Sequence, residues 1–292
     1  MALPTFEYVA AHSIEEAGSL AAELGDKCVV MAGGTDIIAA MKDRLLKPEH
    51  VLDIKRIPGM DQLGYVPGEG LKIGALTTLR TIETSQIVQK KFSAVADAAH
   101  YVASTQIRAR GTMAGNICNA SPSADTAPIL IVLNAAVKTF RISPDTGRMI
   151  PIGEFFKGVG ETVLTPGEIV TEIDIPDLGA RESAAYIKHA VRKAMDLAIV
   201  GVAAWLKMDG STCVDCRIAL GAVATTPIRT TRAEKVLIGQ KLTDELMEQA
   251  GVAASEDCSP ISDVRASAEY RKDMIRVFTK RSIKKALETN KA

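Results

Sequence analysis

The stretch that most restricts how this chain can fold is residues 111–125, Gly-Thr-Met-Ala-Gly-Asn-Ile-Cys-Asn-Ala-Ser-Pro-Ser-Ala-Asp, made mostly of small and hydrogen-bonding side chains without one Lys or Arg. Small residues let a ligand rest directly on the backbone, and Gly reaches φ values at which amides turn inward. A continuous apolar run, Ala127 to Leu133, comes next. Asp125 and Thr126 precede it, where a helix N-terminus with unpaired N–H groups is expected to face the loop. The pattern fits a nest for a phosphorylated ligand. A plain surface loop has the same composition, so the stretch alone leaves both readings open.

A second candidate nest lies near the N-terminus. Ser13-Ile-Glu-Glu16 is a capping box, and Ile14, Ala17, Leu20, Ala21 and Leu24 form a helical apolar stripe closed by Gly25. Cys28 to Met31 reads as a buried strand running into Ala32-Gly-Gly-Thr-Asp36. A helix is expected after it, with Ile37, Ile38, Met41 and Leu45 inward and an end near Pro48. Strand, glycines, hydroxyl, carboxylate and helix start are the parts of a phosphate cradle. It is neither G-x-G-x-x-G nor G-x-x-x-x-G-K-[ST], so a dinucleotide fingerprint and a P-loop are both excluded.

Further along, strands are expected at 50–54, 71–75, 136–141 and 168–176, and helices at about 78–88, 93–104 and 127–133. Pro176 to Ala180 is the best domain boundary. Strands at 184–190, 200–208 and 213–223 follow, with Asp209-Gly210 as a hairpin turn, then helices near 231–238, 243–254 and from Ser267. Strands in a run followed by helices point to α+β.

Length and composition set the outer limits. A chain of 292 residues suits about two domains. Lys+Arg and Asp+Glu each number 35, so no global field draws the chain to nucleic acid. The basic stretch Arg271 to Lys285 carries Met274, Phe278 and, just beyond it, Leu287 at near-helical spacing, which favours a solvated helix face. The start, Met1-Ala-Leu-Pro-Thr5, is unlike a signal peptide, and no apolar run approaches the ~20 residues of a spanning helix. The five Cys are odd in number and scattered, which suggests reduced thiols and a cytoplasmic location. Cys213-Val-Asp-Cys216 lies in an expected strand, where neighbouring side chains need not converge, and has no second pair to complete a zinc site. The four His residues show no metal spacing, and no hydrolase motif is present, so no side chain is nominated as acid, base or nucleophile.

Four segments in fixed order then carry a resemblance: Ala32 to Asp36, Gln106 to Asp125, Lys188 to Val200 and Ile218 to Val223. Together they resemble the FAD-binding (medium) subunit of molybdenum hydroxylases, a family that includes the flavin subunits of carbon monoxide, xanthine and nicotinate dehydrogenases. The resemblance covers nearly the whole chain, from Leu3 to the terminal helix. It implies an α+β fold with a two-lobed FAD-binding domain of the vanillyl-alcohol oxidase (PCMH) type at 1–177, its lobes at about 1–57 and 58–177. A smaller α+β domain of the molybdenum hydroxylase flavoprotein type is implied at 181–292.

The same resemblance implies FAD, held non-covalently between the lobes. Val30, Met31, Ala32, Gly33, Gly34, Thr35 and Asp36 match one side of its site, and Thr112, Ala114, Gly115 and Asn116 the other. Asp125 matches a carboxylate near the adenosine ribose, Val102 and Ala103 lie beside the flavin region, and Ile169 and Lys188 match later contacts. Backbone amides hold the two or so charges of a pyrophosphate without cationic side chains. Asp36 and Asp125 would repel a phosphate, so each is assigned to hydroxyl or amide groups, with N-capping of the next helix as the alternative. Lys188 is expected either to raise the flavin potential or to be a surface lysine. Where the family commonly has two adjacent glycines, this chain has Ala114-Gly115, so Ala114 needs a φ that a Cβ tolerates. The four-cysteine insertion of the hydroxybenzoyl-CoA reductase branch is missing, and no cluster is expected here.

The implied role is an electron-transfer flavin subunit of a molybdenum-containing hydroxylase or dehydrogenase. Molybdenum cofactor and [2Fe–2S] clusters are expected on partners, a large molybdenum subunit and a small iron–sulphur subunit. The acceptor would be NAD, a quinone or a carrier protein; nucleic acid and membrane are not expected partners. Two rivals are a stand-alone FAD oxidase and an assembly subunit that has lost its cofactor. Such oxidases often tether FAD through His or Cys, and Cys118 is the only candidate in either loop.

Overall fold

The computed structural model describes residues 2–142 and 147–289. Strand β1 (Glu7–Ala10), helix α1 (Ile14–Leu24), β2 (Cys28–Met31), α2 (Thr35–Lys42) and β3 (His50–Asp53) form a small parallel unit in the strand order β1-β3-β2. Ser13 caps α1 by accepting from the Glu16 N–H at 3.1 Å. Glu16 reaches back one residue further than a capping box requires and accepts from the His12 N–H at 2.7 Å. Only Met41 of the four expected inward residues of α2 is buried. Ile38 is 39 % exposed, and Leu45 is 83 % exposed because α2 has ended at Lys42.

The second lobe is an antiparallel sheet with a helical layer. It contains β4 (Leu63–Val66), β5 (Gly70–Gly74), α3 (Leu79–Thr84), α4 (Gln86–Lys91), α5 (Ser93–Tyr101), α6 (Thr105–Arg108), α7 (Met113–Cys118) and α8 (Thr126–Val132). After these come β6 (Ala136–Phe140), β7 (Met149–Pro151), β8 (Phe156–Gly158), β9 (Glu161–Thr162) and β10 (Ile169–Ile175). The sheet order is β4-β5-β10-β6-β7, with β8 and β9 paired apart. The helix expected over 78–88 is two, broken where Ser85 turns extended (ψ 121). Thr84 Oγ1 donates to the Arg80 carbonyl at 2.8 Å, the kind of side-chain bond that competes with a helix ladder. The 111–125 stretch is not all loop, because it contains α7.

The last segment comprises β11 (Glu182–His189), β12 (Val200–Asp209), β13 (Thr212–Gly221), β14 (Ile228–Arg229), α9 (Thr231–Leu237), α10 (Asp244–Glu256) and α11 (Ala268–Thr289). Its four strands pair antiparallel in sequence order. One sheet face, with Val202, Leu206 and Ile218, packs on α9, α10 and α11 through Ala233, Met247, Ile275 and Ile283. The alternate residues Ala184, Tyr186, Ala203, Trp205 and Ala219 join the core of the first two lobes, as period-two alternation allows. Part of the basic run on α11 is paired within the protein: Arg271 is buried and donates to the Ile199 carbonyl, and Lys284 pairs with Asp244 at 2.7 Å.

Candidate functional site

Both small-residue stretches line one cavity of about 840 Å³. Gly33 and Asn116, 83 positions apart in sequence, both lie on its wall. The contact between the loops depends on a missing side chain. A Cβ on Gly33 would stand 2.1 Å from the Arg110 carbonyl oxygen and 2.9 Å from Gly111 Cα, all backbone that cannot step aside. The second loop is anchored in turn by the Leu79 N–H donating to the Gly111 carbonyl at 2.9 Å and by a bridge between Thr78 and Thr112.

Each stretch holds a helix start. Gly34 caps α2 with φ +73, a value that a side chain resists, and Thr112 caps α7 by accepting from the Gly115 N–H at 2.9 Å. Among the described residues, the N–H groups of Thr35, Asp36, Ile37, Met113 and Ala114 have no protein acceptor. These free amides fit an anionic ligand, and the cavity volume fits one of dinucleotide size. Ala114 lies inside α7, has no positive φ, and is buried, so the alanine in place of a glycine strains nothing. Positive φ occurs elsewhere on the wall, at Ala103 (+44) and Met195 (+54).

Of the residues expected from the sequence, Val30, Ala32, Gly33, Gly34, Thr35 and Asp36 line the cavity on the first side, and Thr112, Ala114, Gly115, Asn116 and Asp125 on the second. Val102, Ala103 and Ile169 line it too. Met31 and Lys188 do not. The Met31 side chain lies beside Gly34, its sulfur 3.0 Å from where a Cβ would stand. Lys188 is held by protein partners: its Nζ donates to Asp125 Oδ2 at 2.8 Å and to the Tyr101 carbonyl at 3.1 Å. It is no surface lysine, since its side chain is 6 % exposed.

Neither carboxylate caps a helix through its side chain. Asp36 is in the first turn of α2 and accepts from Asn119 Nδ2 at 3.3 Å. Asp125 precedes α8 without a cap bond and accepts from Tyr186 OH at 2.9 Å through Oδ1. Burial pushes its carboxyl up, and Lys188 and Tyr186 oppose that. Asn116 accepts from Thr126 Oγ1 at 2.6 Å, tying α7 to α8. Cys118 lines the cavity as an inert thiol, its pKa pushed up to about 12 by burial.

Other wall residues are not among the expected site residues, although Met195, Asp196 and Leu197 fall within the Lys188 to Val200 segment. Glu168 lines the cavity while bound by Arg148 Nε (2.8 Å), Arg148 Nη2 (2.9 Å) and Thr139 Oγ1 (2.7 Å). Burial raises its pKa, but these bonds and the Thr165 N–H outweigh it and hold the carboxyl at about 2. Met195, Asp196 and Leu197, on the loop after β11, close one side. A second, smaller chain feature also departs from expectation. A bulge in β13 at Val214 puts Cys213 and Cys216 on the same buried face, where the thiols interact, lowering the pKa of Cys213 and raising that of Cys216. His189 is packed, stacked on Phe278 at 4.7 Å between ring centroids.

Comparison with known proteins agrees with this geometry. Residues 4–178 match the family described as FAD binding domain in molybdopterin dehydrogenase, and 185–286 the CO dehydrogenase flavoprotein C-terminal domain. The glyceraldehyde dehydrogenase medium chain of Sulfolobus acidocaldarius is 35 % identical over 283 residues, covering 96 % of this chain and 98 % of that one. The carbon monoxide dehydrogenase medium chain of Hydrogenophaga pseudoflava is 34 % identical, with 97 % of each chain covered. The solved carbon monoxide dehydrogenase of that organism superposes with a TM-score of 0.95 at 35 % identity and 99 % coverage of both chains. Quinoline 2-oxidoreductase from Pseudomonas putida gives 0.91 at 28 % identity, again with 99 % of both chains covered.

Proposed function

Since the chain belongs to the FAD-binding family of the molybdopterin dehydrogenases, the flavin subunits of molybdenum hydroxylases, we propose that it is the electron-transfer subunit of such a complex. In this reading it holds FAD non-covalently, receives electrons from [2Fe–2S] centres of a small partner subunit and delivers them to an external acceptor. Substrate oxidation belongs to a large molybdenum subunit. Bound FAD supplies the exchange between one-electron and two-electron chemistry. The residues of this chain supply the holding. Free amides at Thr35 to Ile37 and at Met113 and Ala114 face the diphosphate, Asp125 takes a ribose hydroxyl, and Val102 and Ala103 lie along the flavin.

One observation carries this reading: two loops far apart in sequence wall a single cavity large enough for a dinucleotide. The purified chain is expected to show flavin absorbance near ~450 nm, before or after reconstitution with FAD, and to release the colour on denaturation. Absence of bands after reconstitution overturns the assignment, and colour that stays attached overturns non-covalent binding. A tagged chain in its native extract is expected to bring down a large molybdenum subunit and a small iron–sulphur subunit; a lone monomer contradicts the complex.

A further inference from the structure

Three consecutive carbonyls, those of Tyr101, Val102 and Ala103, are gripped by buried cations. Lys188 Nζ donates to the first at 3.1 Å, and Arg108 Nη1 donates to the second at 3.0 Å and the third at 3.4 Å. Arg108 is 6 % exposed and is itself fixed from α3 by a bidentate pair: Nε donates to Glu83 Oε2 at 3.0 Å and Nη2 to Oε1 at 3.3 Å. Val102, Ala103 and Ser104 line the cavity, whereas Arg108 and Glu83 stand behind them, off its wall.

What the grip fixes is the direction of two amides. In a trans peptide the N–H points opposite to the C=O of the same planar unit. With the Val102 and Ala103 carbonyls on Arg108, the N–H groups of Ala103 and Ser104 point away from it, toward the cavity. Neither has a protein acceptor among the described residues. The backbone held in this way is strained: Ala103 keeps φ +44. The Tyr101 carbonyl, which could close a tight turn onto the Ser104 N–H, is taken by Lys188 instead.

We propose that Arg108 is a positioning residue for the cofactor: anchored on Glu83, it turns the Ala103 and Ser104 N–H groups into the cavity as donors for the carbonyl or imine acceptors of the flavin ring. This rests on the FAD reading given above, in which Val102 and Ala103 lie along the flavin. The amides of α2 and α7 already serve the diphosphate, which leaves this third set of donors for the ring. Arg108 touches no ligand atom and acts only through the turn. Lysine is no substitute, since a single ammonium lacks the fork that spans Glu83 and two carbonyls.

The test titrates FAD into full-length wild type, Arg108→Lys, Arg108→Lys with Ala103→Gly, and Arg229→Met, following flavin fluorescence and visible absorbance. Arg229→Met breaks a similar bidentate pair, with Glu234 at 2.7 and 3.0 Å, that lies off the cavity, so it reports a general loss of stability. Arg108→Lys is expected to raise the Kd for FAD about tenfold, the scale of one hydrogen bond. It is also expected to shift the bound-flavin band near ~450 nm, because hydrogen bonds to ring acceptors alter that transition. Adding Ala103→Gly is expected to restore most of the affinity, since glycine holds positive φ without a clasp. Arg229→Met is expected to change neither readout. Unchanged FAD binding in Arg108→Lys, a raised Kd with an unshifted band, no recovery with Ala103→Gly, or equal weakening by Arg229→Met overturns the proposal. Glu83→Gln, which loosens the anchor at the same volume, is read in the same way should Arg108→Lys fold poorly. A wild type that takes up no flavin overturns the FAD reading itself, an outcome distinct from tight FAD binding that Arg108→Lys leaves unmoved.

Discussion

At the scale of single residues, the cavity depends on atoms that are absent. Gly33→Ala would drive a methyl into the Arg110 carbonyl, at 2.1 Å before relaxation, and the two loops would have to part. The expected cost is about 1–3 kcal/mol of unfolding free energy, read by urea denaturation, together with a fall in flavin bound per chain. Glu168 offers a second test. Its folded pKa of about 2 lies below the ordinary value of 4.5, so its ion pair contributes stability above pH 4.5 that disappears as pH falls toward 2. Because Arg148 is half exposed, about 1–2 kcal/mol is expected after screening. Arg148→Met should reduce that slope in a pH series of denaturation midpoints, leaving the share held by Thr139 and the Thr165 N–H.

Residue identity made the first cradle readable, since a strand, two glycines and a helix start are all local signals. Lys188 was not readable in the same way. Its partner Asp125 lies 63 positions earlier, and nothing short of the folded sheet reveals the pair.

Elements show the same division. Caps at Ser13, Thr78 and Thr243 are local and appear where the pattern puts helix starts. Helix α7 escaped because its six residues, Met-Ala-Gly-Asn-Ile-Cys, span less than two turns and show no period. The bulge in β13 escaped for a related reason: strict alternation sets residues three apart on opposite faces, and one unpaired residue reverses that. Thr112→Ala tests what α7 contributes. Losing the bond to the Gly115 N–H is expected to lower stability by about 1 kcal/mol and to weaken FAD more than a distant cap variant such as Thr243→Ala does. Comparing the two variants by denaturation and by FAD titration separates a general cap effect from one at the cavity.

For the whole molecule, the two cores meet across close contacts. A Cβ on Gly221 would press to 3.0 Å from Pro128, the Ala222 N–H donates to the Pro122 carbonyl at 2.7 Å, and Lys285 on α11 reaches Asp97 on α5 at 2.6 Å. Since the cavity draws on both sides of this junction, a ligand bound there stabilises both. At FAD concentrations about 100 times Kd the gain is about 2.7 kcal/mol, which should raise the thermal midpoint by about 5 °C or more in a single calorimetric transition. Two separate transitions, of which FAD moves one, would show that the cores melt independently.

The order of the strands carries a last consequence for synthesis. Strand β10, the final strand of its sheet to be made, is inserted between β5 and β6, and the segment Met195 to Leu197 closes the cavity later still. A nascent chain halted between Asp125 and Met195 therefore has both loops but no finished chamber. Cofactor loading must wait until two thirds of the polypeptide has cleared the ribosome, and chains truncated earlier should leave the ribosome colourless.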